Sequence, residues 1–126
     1  RSAAAVYRLI IDAFAQARAV ALHDADPTVR RRAALGLARG GPYSPDVTAA
    51  ISPRLTAALS SDDSVIRVCI AKALDRCGLP EAIPTLVQVE RNDENRDVAK
   101  AARRAIARIQ SRSPQPKLVA AKHDNQ

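Results

Sequence analysis

Cys69, Cys77, His23 and His123 are the side chains here best suited to nucleophilic or metal chemistry, and their spacing suits neither. The cysteines fall eight residues apart on one expected helix, where about 12 Å of axial rise keeps them too far apart for a disulfide. They read as small core thiols, and free thiols favour a reducing compartment such as the cytoplasm. Neither histidine has an acid, thiol or hydroxyl companion at helical spacing. His23 fits a helix end, where a cation is favourable against the carbonyls. There is no glycine-rich phosphate loop and no nucleophile motif. No enzyme, no catalytic residue, no metal and no cofactor are expected.

Basic side chains are the other chemistry on offer. Among 126 residues, 20 Lys and Arg against 13 Asp and Glu give a net charge of +7. Such a field draws anions: nucleic acid, an anionic surface or an acidic protein. What matters is whether the elements bring these cations together. The chain is 47% hydrophobic but 2% aromatic, without Trp or Met, so its core must be Ala, Leu, Ile and Val. No apolar run reaches the roughly 20 residues of a membrane span.

The apolar pattern is helical throughout, with no period-two stretch. A helix over about 2–23 sets Val6, Leu9, Ile10, Ala13, Phe14, Ala17, Val20 and Ala21 on one side, with Arg8 and Asp12 as an exposed i,i+4 pair, and this long Ala-rich helix is expected to act as a cap or as a docking face for further chain. Asp24-Ala25-Asp26-Pro27 turns the chain into a helix over 27–39, which stops at Gly40-Gly41-Pro42. Helices over 46–59, bent or restarted at Pro53, and over 65–77 follow. The last are 80–90, with Pro84 inside, and 96–110. Residues 1–110 thus form hairpins over about 2–40, 44–78 and 80–110, and 111–126 reads as a tail whose apolar handle is Leu118 and Val119. Gly40-Gly41-Pro42-Tyr43-Ser44-Pro45 is a longer connection than Gly78-Leu79-Pro80, and Tyr43 is either filler or a contact residue.

These hairpins are internal repeats. Val29, Ile66 and Val98 superpose at spacings of 37 and 32 residues, followed by Ala33, Ile70 and Ala102, then Leu37, Leu74 and Ile106. Asp26, Asp63 and Asn95 precede the three second helices in register.

Asp26-Pro27-Thr28-Val29-Arg30 running on to Ala33, Ala34 and Leu37 resembles the repeat signature of the HEAT-like family, including its phycobilisome-lyase type. Asp63-Ser64-Val65-Ile66-Arg67 and Asn95 to Ile106 are similar, with Ala99 where the signature has Arg. The resemblance covers about residues 20–110 and implies an all-α solenoid of about three hairpins. It also implies that Arg30 and Arg67 pair with acids such as Asp26 and Asp63 in a polar ladder between repeats. The His-Glu pairs of metal-binding relatives are missing.

In that register, the side of the second helices opposite the core carries Arg31, Leu35 and Arg39, then Val68, Lys72 and Arg76, then Lys100, Arg104 and Arg108. Seven of the nine are basic and none is acidic. Stacked repeats lay equivalent helices side by side, so these charges should line one strip; the plainer reading is that Arg and Lys are good solvated helix formers. The leading expectation is a non-catalytic scaffold or adaptor holding an acidic protein partner there, within a larger protein or complex. The alternative is sequence-independent nucleic-acid binding. Scattered aromatics (Tyr7, Phe14, Tyr43) give no stacking platform for single strands.

Overall fold

Asp26 Oδ1, Asp63 Oδ1 and Asn95 Oδ1 each accept the amide N–H two residues on, at 2.9 Å, and at each a helix starts. One layer further out the device repeats: Asp24, Ser61 and Asp93 each accept the N–H of the capping residue itself. Three copies of one turn therefore satisfy the orphan amides that open three helices.

The computed structural model describes residues 2–112 and contains six α-helices and no strand among them. They are α1 (Ala3–Ala21), α2 (Pro27–Arg39), α3 (Pro45–Ala58), α4 (Ser64–Cys77), α5 (Ile83–Asn92) and α6 (Arg96–Arg112). The pairs α1–α2, α3–α4 and α5–α6 are hairpins. The inner helices α2, α4 and α6 pack side by side in that order, and α1 packs on α3. This is an all-α solenoid. The register columns supply its core: Ile66, Ile70 and Leu74 are fully covered in the middle repeat, whereas Val29 and Ile106 are half-buried in the outer two. Ala34, Ala71, Ala73, Ala102 and Ala105 are also buried, letting the inner helices approach closely.

Several details depart from the sequence reading. α3 runs unbroken through Pro53. Pro84 is not internal: a 3-10 turn over Pro80–Ala82 precedes α5, so Pro84 falls in its first turn, where no amide is needed. α6 continues to Arg112, two residues into the expected tail. The rest of that tail, with Leu118, Val119 and His123, lies outside the described residues.

The phase of α1 is what the apolar pattern leaves open. Its buried residues are Ala15 and Ala19, continued by Leu22 after the helix end. The apolar side is turned to solvent, with Val6, Leu9, Ile10, Phe14 and Val20 between 44% and 58% exposed. Arg8 and Asp12 do not pair with each other. Arg8 donates to Pro42 O at 2.8 Å and Asp12 accepts Ser44 N–H at 3.1 Å, so both hold the loop before α3. The side of α1 that faces the stack therefore carries Ala15, Ala19 and Leu22 together with these two polar contacts.

Candidate binding cleft on the inner helices

α4 and α6 lie side by side, and at about 100° per residue the positions 68, 72, 76 and 100, 104, 108 rise along their open sides. They meet over a cleft of about 590 Å³ lined by Lys72, Arg76, Lys100, Arg104 and Arg108. Ala38, Val68 and Ala101 give its apolar lining, and Asp75 and Asp97 are its only acids among the described residues. Five cations against two carboxylates leave the lining at +3.

The five cations are held differently. Arg76 Nη1 donates to Ala38 O at 2.9 Å, which fixes its stem across the gap to α2. Arg108 Nε stands 3.9 Å from Asp75 Oδ1, a loose pair. Lys72, Lys100 and Arg104 are exposed and hold no ion pair or hydrogen bond within the described residues. Their charge is uncommitted.

Two expected members of the strip lie elsewhere. Arg39 borders a separate depression with Arg18, Arg32, Leu35, Gly36 and Gly40. Arg31 is tied to Asp63 by a hydrogen-bonded ion pair that raises the arginine's pKa and lowers the aspartate's. Ala38, Ala101, Asp75 and Asp97 were not foreseen as cleft residues. Ala38 and Asp75 are one register position, which the strip count omitted.

The polar contacts between repeats also differ from the implied ladder. Arg30 reaches no acid among the described residues; its guanidinium donates to the carbonyls of Asp24 and Ala25. Arg67 does the same to Ser61 O at 2.8 Å, so both arginines brace the turn of their own repeat. Arg67 then extends to the next repeat, with Nε 2.7 Å from Asp93 Oδ2 and Nη2 3.1 Å from Oδ1. Asp26 acts as a helix cap, and Asp63 caps α4 through Oδ1 while its Oδ2 accepts from Arg31 of the preceding repeat. At the opposite helix ends, Arg112 donates to Asp75 O at 2.6 Å and Gly78 O at 3.2 Å, the counterpart of Arg76 on Ala38 O.

With the tandem hairpins and their shared turns in place, comparison by family is decisive: a model of HEAT repeats matches residues 14–107. The chain belongs to the HEAT-repeat family. No curated protein and no solved structure matches it significantly. HEAT repeats commonly act as protein-binding scaffolds and are generally not catalytic.

Elsewhere on this HEAT domain, both cysteines are free. Burial pushes the Cys77 thiol up to about 11, against the weaker opposing pull of Arg112 and Arg76. It therefore stays protonated at neutral pH. Tyr43 is half-buried over Gly40 and Gly41, its hydroxyl enclosed without a partner among the described residues, and burial raises its pKa. It packs the loop between the first two HEAT hairpins, where Gly41 adopts φ 94°, a conformation open to glycine. Among the described residues there is no group of three or more His, Cys, Asp or Glu able to hold a metal ion. No described helix is long and apolar enough to cross a membrane.

Proposed function

We propose that this HEAT-repeat chain is a non-catalytic scaffold or adaptor that holds an acidic segment of a protein partner in the cleft between α4 and α6. The observation that carries the reading is the convergence of Lys72, Arg76, Lys100, Arg104 and Arg108 around the apolar patch of Ala38, Val68 and Ala101. An acidic segment with an apolar anchor satisfies both halves. Its carboxylates meet the three uncommitted cations while its apolar side chain covers Val68. Arg31 and Arg39, off the cleft, contribute long-range attraction, not contact.

Nucleic acid fits less well. Asp75 and Asp97 would face a phosphate backbone, and no aromatic residue lines the cleft to stack a base.

The test is affinity capture from native lysate with the natural protein and with Lys72→Glu combined with Arg104→Glu. The double variant should lose its acidic protein partners while melting almost unchanged, since both side chains are exposed. Equal capture by both proteins would reject the cleft. A parallel salt series with arbitrary duplex DNA separates the classes: tight binding that falls by a slope of several ions would favour nucleic acid instead.

A further inference from the structure

We propose that the outward face of α1 pairs with the same face of a second copy of this chain, as an antiparallel two-helix seam. The uncovered face is unusual for a protein so rich in charge. Val6, Tyr7, Leu9, Ile10, Phe14 and Val20 are each 44% to 67% exposed, on a helix about 28 Å long. They leave on the order of 600 Å² of apolar surface open per copy, the upper end for a monomer and close to the roughly 800 Å² a side of a standard interface. Among the described residues the only charged group against the face is the Arg18 guanidinium, at its edge beside Phe14. Arg8 and Asp12 turn to the loop at 42–44, and Arg18 turns across Gly36.

The spacing is that of a seam. Ala3, Ile10 and Ala17 fall at one heptad position and Val6, Ala13 and Val20 at the other. Placing a two-fold axis between positions 11 and 12 matches Ala3 with Val20, Val6 with Ala17, and Ile10 with Ala13 of the second copy. Every layer then joins one branched side chain to one alanine. Tyr7 comes beside Phe14 of the second copy, and the Arg18 guanidinium, 5.3 Å from the Phe14 ring centre, steadies that ring. A self-complementary pattern is what an isologous contact requires.

A further hairpin stacked in register is a poorer occupant. Cys69 and Ala73 of α4 stand in register with Ala101 and Ala105 of α6, all small and at least half-buried. The equivalent residues of α2 are Arg32, exposed, and Gly36, overlain by the Arg18 side chain. A hairpin stacked there would meet the Arg18 and Arg32 side chains where α4 and α6 present small residues.

Sedimentation velocity of the full chain across a wide concentration series tests the seam. The mass should rise from 13.5 kDa towards twice that value. Ile10→Ala leaves a gap and Ala13→Ile overfills the same layer, so each should weaken association about tenfold. The two together exchange large for small and should restore it to within about threefold of the natural protein. Both side chains are exposed in the monomer, so all three variants should unfold like the natural chain when dilute. A chain that stays monomeric throughout the series, including one that instead binds phosphatidylcholine vesicles, would overturn the proposal. So would a double variant no better than either single one.

Discussion

Arg67 grips Asp93 with two nitrogens, at 2.7 and 3.1 Å, and so fastens α4 to the turn that opens α6. The contact is enclosed, with 18% of the arginine side chain and 7% of the aspartate exposed. Both partners have second duties inside their own repeats, Arg67 on Ser61 O and Asp93 on Asn95 N–H. One pair thus couples two turns and two hairpins.

Removing either partner should therefore be felt. Arg67→Ala and Asp93→Ala are each expected to cost about 1–2 kcal/mol in urea unfolding, with the double variant costing clearly less than the two added together. Additive losses would mean the pair is not coupled. Arg31→Ala, at the more exposed contact with Asp63, should leave the denaturation midpoint almost where it was.

Acid should weaken the stack in a particular window. Hydrogen bonds from Arg67 and Arg31 hold the Asp93 and Asp63 carboxyls below their ordinary values. The folded chain therefore binds fewer protons than the unfolded one as the pH drops through the carboxylate range. The stabilisation is complete above about pH 4 and is lost as pH falls through the lower folded values. Asp93→Asn with Asp63→Asn should flatten that acid limb of melting temperature against pH. The change at position 63 keeps a capping side chain, as Asn95 already does in the third repeat. An unchanged acid limb in the double variant would refute this assignment.

The cleft cations should separate by role. Arg76→Ala strips the donor from Ala38 O and should cost about 1 kcal/mol as well as partner affinity. Arg104→Ala should cost affinity alone. Parallel thermal melts and binding titrations of the two variants check this, and equal melting temperatures would contradict it.

The repeat register could be read from the chain because Val29, Ile66 and Val98 and their successors mark helix-spaced columns that only stacking can bury. That register also brought Lys72, Arg76, Lys100, Arg104 and Arg108 onto one face. It could not show that Arg39 slips into a neighbouring depression, since that depends on how far α2 stands from α4. Nor could it orient α1. An apolar stripe says which residues share a side, not which side is covered, and the side chosen was the one with Ala15 and Ala19. Two acids cross between repeats, and the capping register points to one of them: Asp63 caps α4 and also takes Arg31, whereas Asp93 sits two residues before the third cap, where the first two copies carry Asp24 and Ser61.

Arg76 and Arg112 each lend a guanidinium to the carbonyl end of the inner helix preceding their own. That dependence has a direction in time. As the chain leaves the ribosome, α2 emerges with Ala38 O open to water, and its donor arrives 38 residues later. α4 waits in the same way for Arg112, so α2 and α4 are each finished only by the inner helix that follows.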